Sequence, residues 1–282
     1  METFACDGHI LTWEEHSPGD HTLLMVHGWS ASRLWWWRLL APLRDLGRCV
    51  TLDLPGHYPA QAPPDFQLTQ AQLIDLETEA VRHICGGRPV TLIGHSTGGL
   101  VALGVAARLP GQVRRVICID GVVWGPLSGV LGIAQWALDR RLYPLFGASW
   151  GASQLAVWAM MAGLALYVAD KAAHWRNPVA WEGCRLGWPW YRRTSLSNLA
   201  VVLRLLATCD IRPVAAALPA PVLTITGDSD PLVPPEQSRW LADHLPCADR
   251  VVLEKVGHMP HVEAPTALEK AIMSWLAEHP VT

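Results

Sequence analysis

Short apolar runs rich in β-branched residues recur along this chain, separated by stretches in which Ala, Leu and other helix formers dominate. The runs predict strands near 3–6, 10–15, 22–27, 48–53, 89–94, 114–119, 221–226 and 249–256. The patterns between them predict helices near 34–45, 69–85, 97–109, 236–245 and 265–278. This alternation implies a mostly parallel eight-stranded sheet with helices on both faces, because each parallel crossover must return over one face of the sheet. The first two runs are joined by Asp7-Gly8, a hairpin signal, so the sheet is expected to open antiparallel. Between Gly121 and about Thr208 the alternation stops, and no further strand is legible. The chain therefore divides into an α/β core, 1–121 and 209–282, and a helical insertion, 122–208, with approximate limits at Pro126 and Pro213 to Pro221. The last helix of the insertion, near 195–208, is expected to return to the core.

One junction carries chemistry. Gly94-His95-Ser96-Thr97-Gly98 lies between the strand ending at Ile93 and the helix that runs toward Pro110. A G-x-S-x-G turn in that position forces its Ser into a strained, exposed backbone, and the small flanking residues make the turn sterically possible. Taken alone, the pentapeptide also fits a Gly-rich turn with a structural Ser. Two later strand ends decide between these readings. Val222–Gly227 opens into Asp228-Ser229-Asp230-Pro231-Leu232-Val233-Pro234, and Arg250–Val256 opens into Gly257-His258-Met259-Pro260-His261. Ser, then acid, then His, each just past a strand, is the chain order of an α/β-hydrolase.

On these residues the chain resembles the α/β-hydrolase-fold enzymes of the serine-nucleophile type, carboxylesterase- and lipase-like members with a helical cap. His27-Gly28-Trp29 resembles their HG loop, Asp53-Leu54-Pro55-Gly56-His57 their D-x-P-G-H turn, and Gly227 to Pro234 their acid loop. Gly257-His258 and the later Glu263-x-Pro265 resemble their His loop. The D-x-P-G-H turn departs from the pattern in continuing with Tyr58-Pro59-Ala60. The resemblance implies that Ser96 is the nucleophile, that His258 takes its proton, and that Asp230 orients the imidazole. It also implies that the backbone N–H groups of Trp29 and Thr97 form the oxyanion hole. His261 is the rival base. Asp228 and Asp120 are the rival acids, Asp120 because some members of the family carry the acid after the preceding strand.

Composition narrows the partners. Half of the 282 residues are hydrophobic, the formal net charge is −3, and no basic stripe is present, which argues against a nucleic-acid partner. The N-terminus lacks the basic and apolar regions of a signal peptide. The seven Cys are scattered singly, so free thiols and a cytoplasmic location are expected. No C-x-x-C or His/Cys cluster suggests a metal, and serine chemistry of this kind needs no external cofactor.

The insertion holds eight of the fifteen Trp. An aromatic, apolar roof favours hydrophobic acyl or aryl groups, and Trp124, Trp158, Trp188 and Trp190 are the candidate pocket residues. The expected substrate is an apolar small-molecule carboxylic ester. A thioester, a lactone or a C–C bond could be cleaved by the same triad. A membrane-surface lipase for acylglycerols and a non-catalytic ligand receptor on the same fold are the other classes. The uncharged segment 147–169 is short for a membrane span, and it reads as a single cap helix, apolar on all sides. Its outer side is expected to pack on the cap, on a second copy or on a membrane surface.

Overall fold

The computed structural model describes residues 1–140 and 142–281. The strands are β1 (Glu2–Cys6), β2 (His9–Glu15), β3 (Thr22–Val26), β4 (Arg48–Leu52), β5 (Val90–His95), β6 (Val113–Ile119), β7 (Val222–Gly227) and β8 (Ala248–Leu253). They form one eight-stranded sheet in the order β1-β2-β4-β3-β5-β6-β7-β8. β1–β2 and β2–β4 pair antiparallel, and the remaining pairs are parallel. Successive side chains on β3 show how the strands are built. Leu24 and Val26 enter one core, with Leu73 and Ala80 of the helix Gln70–Cys85. Leu23 and Met25 enter the other, with Leu268 and Ile272 of the helix Pro265–Glu278. Both faces of the central strands are covered, so these strands read as apolar runs rather than as alternating ones.

The helices are α1 (Leu40–Arg44), α2 (Gln70–Cys85), α3 (Thr97–Arg108), α4 (Gly129–Asp139), α5 (Tyr143–Ser153), α6 (Val157–Leu164), α7 (Lys171–Arg176), α8 (Pro178–Tyr191), α9 (Leu196–Thr208), α10 (Arg212–Ala215), α11 (Pro235–His244), α12 (Pro260–Glu263) and α13 (Pro265–Glu278). The single helix expected over 34–45 is instead a 3₁₀ turn, Arg33–Trp36, followed by α1. Pro42 explains the restart. It has no N–H to donate backward, so it sits in a first turn, where none is needed.

Helices α4 to α10 occupy the chain between β6 and β7. On α9, Leu199, Ala200, Val202, Leu203, Leu205 and Leu206 are buried in the larger core. The segment 147–169 is not one helix, as the sequence suggested. It breaks between α5 and α6, where Ala156 is extended (φ −160°, ψ 159°). Gly151 and Ser153 weaken the end of α5, and the Ser153 hydroxyl donates to the Trp150 carbonyl at 2.6 Å. Among the described residues no helix is long and apolar enough to cross a membrane.

Candidate active site

The turn at Ser96 is forced by close approach of backbone. Ser96 has φ 55° and ψ −115°, a region that costs energy for a residue with a side chain. A Cβ at Gly94 would lie 2.0 Å from the Gly98 carbonyl oxygen, and one at Gly98 would lie 2.0 Å from that of Val26. Only glycine fits at either position. The Ser96 N–H donates to the Ile119 carbonyl at 2.9 Å, and its own carbonyl accepts from Gly99 at 2.9 Å and Val122 at 3.0 Å. Strain at one residue is thus held in place by bonds from three sides.

Asp230 and His258 meet from adjacent strand ends. His258 Nδ1 donates to Asp230 Oδ2 at 2.7 Å, with both side chains almost wholly shielded from solvent. Asp230 Oδ1 accepts from the backbone N–H groups of Leu232 (2.8 Å) and Val233 (3.0 Å). Burial works against a charge on His258, but the Asp230 carboxylate and its hydrogen bond outweigh it. The imidazole is held above its ordinary pKa of 6.5. His258 and Ser96 border the same cleft.

The rival residues are engaged elsewhere. His261 Nδ1 accepts from the Trp35 indole at 3.1 Å, and burial pushes the ring down to about 3, so it is neutral. Asp228 holds a turn, accepting from the Lys255 N–H at 2.7 Å and the Ser229 hydroxyl at 2.8 Å. Asp120 lies close to His258. Its Oδ1 accepts from the Gly227 N–H at 2.9 Å, while its buried Oδ2 has no protein partner among the described residues. Burial and the nearby Asp230 carboxylate push Asp120 well above the ordinary carboxylate range.

His95, Asp120 and His258 present donor atoms within 4.8 Å of one another, the one such grouping among the described residues. His258 Nδ1 is committed to Asp230, and His95 Nε2 donates to the His258 carbonyl at 3.0 Å. Each ring keeps a single nitrogen, fewer donors than a closed metal site uses.

Two loops clasp each other beside Ser96. His27 Nε2 accepts from the Leu54 N–H at 3.1 Å, and His57 Nε2 accepts from the Ser30 N–H at 3.2 Å. Burial pushes His27 down to about 4 and His57 down to about 3, so both rings are neutral acceptors. Asp53 adds a bond to the Arg33 N–H and a second to its guanidinium, each 2.7 Å. Between these ties lies Trp29, whose indole donates to the Leu199 carbonyl of α9 at 2.9 Å. The backbone N–H groups of Trp29 and Thr97 donate to no protein acceptor among the described residues.

The cleft differs from the one expected. None of Trp124, Trp158, Trp188 and Trp190 lines it. Trp158 is 61% exposed on the outer side of α6. Trp124 lies under Arg212, Trp188 under Arg192, and Trp190 beside Arg33. The aromatic wall comes from Trp29, Trp35 and Trp37 on the core side, with Tyr167 and Tyr191 from the insertion. The α8 side of the cleft is lined by Ala180, Gly183, Cys184, Gly187 and Tyr191, spaced as one helical stripe. Trp188 and Trp190 fall off that stripe. The small residues give it away only once its direction is known.

Two further features have no role assigned in the sequence reading. His174, the single His of the insertion, borders the cleft and bonds to the Met161 carbonyl through Nε2 at 3.1 Å. Glu263 holds the His258 loop to the insertion. Its carboxylate accepts from Gly257 (3.0 Å), Met259 (3.1 Å) and, across the boundary, Ala169 (2.8 Å). The His258 N–H donates to the Tyr167 carbonyl at 2.8 Å, and the Asn177 amide donates to Val262 at 2.9 Å.

Comparison with known proteins agrees with this architecture. The sequence model of the alpha/beta hydrolase family matches residues 23–271. The pimeloyl-[acyl-carrier protein] methyl ester esterase of Aromatoleum aromaticum is 30% identical over 262 residues, covering 86% of this chain and 93% of that protein. The (E)-2-((N-methylformamido)methylene)succinate hydrolase of Acinetobacter baylyi is 24% identical, covering 92% and 91%. Among solved structures, a thermophilic esterase from Thermogutta terrifontis superimposes with a TM-score of 0.77 at 23% identity, covering 99% of this chain and 97% of that one. At that identity the likeness shows the fold.

Proposed function

This chain belongs to the alpha/beta hydrolase family, and on that premise we propose that it is a serine hydrolase of carboxylic esters with apolar acyl or aryl groups. Ser96 Oγ attacks the ester carbonyl carbon as His258 takes its proton, and the tetrahedral intermediate places its oxyanion on the N–H groups of Trp29 and Thr97. His258 then returns the proton to the leaving alcohol. Water, deprotonated by the same imidazole, releases the acid and restores Ser96. Asp230 holds the tautomer that leaves Nε2 free to accept, and it stabilises the imidazolium. Helices α4 to α8 serve as the cap over this site.

The observation that carries the reading is the 2.7 Å pair of Asp230 and His258, with His258 on the same cleft as the strained Ser96. The relatives named as methyl ester esterases support an ester over a thioester, lactone or C–C bond, which the same residues could also cleave. The largely apolar lining supports hydrophobic groups. The test is labelling by a fluorophosphonate, followed by a panel of esters of graded acyl length with thioester, lactone and amide controls. Labelling confined to Ser96 and faster turnover of longer acyl esters is the expected result. Folded protein that stays unlabelled would remove the serine mechanism and leave a ligand-binding role. Best turnover of acetate esters would remove the apolar preference.

A further inference from the structure

The outer side of the insertion has the composition of an interior. From residue 142 to residue 169, twenty-eight consecutive positions carry no charged side chain. Helices α5 and α6 fill most of this span and pack on each other. Their inner side is occupied: Trp150 and Met161 are buried, and Met160, Leu164 and Tyr167 line the cleft with Ser96. Their outer side is just as uncharged. Leu155, Trp158, Ala162 and Leu166 are exposed at spacings of three, four and four, one stripe along α6 and its flanks. Leu145, Ala148, Ser149 and Ala152 make the matching stripe on α5. Helix α4, packed on α5, adds Ile133 and Trp136, and the Arg140 guanidinium lies 4.4 Å over the Trp136 ring. Leu155 is 78% exposed and Ile133 67%. Large apolar side chains gathered this way mark a contact surface.

Charge selects the partner. Residues 122–208 carry eight Lys and Arg against three Asp and Glu, while the rest of the chain carries fourteen against twenty-two. We propose that this face docks on the surface of an anionic phospholipid bilayer. The α5 and α6 stripes enter the boundary between headgroups and acyl chains, and the basic excess of the insertion faces the anionic headgroups. A second copy fits less well, because a symmetric contact through this face would bring two positively charged insertions together. Docking would also place the source of an apolar ester against α6, whose opposite side lines the cleft. That last step rests on the function proposed above; the docking itself does not.

The experiment uses the full chain and vesicles of phosphatidylcholine, with or without phosphatidylglycerol, in a sedimentation assay. The parent protein should sediment with the mixed vesicles and bind them about tenfold or more tightly than pure phosphatidylcholine, a preference that salt reduces. Leu155→Ser with Trp158→Ser should weaken binding by about tenfold or more while turnover of a soluble chromogenic ester is unchanged. Both residues are largely exposed, so the double variant should fold. Failure of the parent to sediment with either vesicle would overturn the proposal, as would equal binding by parent and variant. A parent dimer that the double variant dissociates, with no vesicle binding, would make the face a contact between copies. Vesicle binding without ester turnover would uphold docking and remove the hydrolase reading.

Discussion

The loops at the strand ends and the insertion face each other across one cleft, but they fix their residues by different means. On the loop side, position comes from backbone. Ser96 is strained and bonded on three sides, Asp230 accepts two N–H groups as well as the imidazole, and His27 and His57 each hold the other's loop. On the insertion side, position comes from packing of α6 on α8 around buried Met161, Ala180 and Cys184. A backbone that must bend sharply admits few residue types, and a packed helix admits many. The first region is therefore intolerant of change and the second should be adjustable.

The largest expected effect tests that contrast directly. Ser96→Ala and His258→Ala should each lower kcat by about four orders of magnitude or more, since the groups act as a unit. Trp158→Ala and Trp188→Ala should leave kcat/KM and the acyl-length profile unchanged. Steady-state kinetics on purified, folded variants decides this, and a Trp158→Ala loss as large as that of Ser96→Ala would break the contrast.

Next comes the acid. Asp230→Asn should cost about two to four orders of magnitude in kcat, and Asp120→Asn about tenfold. The pH profile separates the two acids by sign. Protonated His258 cannot accept the Ser96 proton, so kcat/KM rises with pH through the folded-state pKa, above 6.5 in the parent. Without the Asp230 carboxylate, burial dominates and the limb should move to lower pH. An unmoved limb in Asp230→Asn, with a lowered one in Asp120→Asn, would transfer the role to Asp120.

Smaller effects belong to the cleft. A Cβ at Gly187 would meet only the Met160 methyl, at 3.8 Å, so a side chain there projects into free space. Gly187→Leu should cut kcat/KM for the longest acyl esters about tenfold and leave the shortest unchanged. An ester series on the variant reads this out; equal losses at every length would mean that the insertion does not measure the acyl group.

The smallest effect concerns stability, away from the cleft. Glu77 is fully buried, neither carboxyl oxygen has a protein partner among the described residues, and burial pushes it well above 4.5. Below the unfolded pKa it is neutral in both states and its folded form is not penalised. As pH rises toward the folded pKa, folding must take up a proton and stability falls. Glu77→Gln should therefore stabilise by about 1 kcal/mol or more at pH 8 and by little at pH 4. Denaturant titrations at the two pH values measure the difference.

What could be read from the sequence follows the same division. Gly94 and Gly98 are legible because a Cβ at either would strike a carbonyl. Asp230 and His258 are legible through the resemblance of the loops that follow β7 and β8, and their 2.7 Å pairing appears only in the fold. The break at Ala156 was not legible, since α5 and α6 share one uncharged composition and the break arises from local bonding at Ser153. The aromatic wall was misplaced for a related reason. Trp35 and Trp37 reach the cleft because the 3₁₀ turn follows the clasped loops. Trp188 misses it by one residue, about a hundred degrees around α8.

The bonds from Glu263 to Ala169, from His258 to Tyr167 and from Asn177 to Val262 join the His258 loop to the insertion. A surface or ligand that favours a placement of the insertion in which the surroundings of His258 change would shift the proton affinity of that imidazole, and protonating it would then change the affinity for that surface or ligand by the same factor.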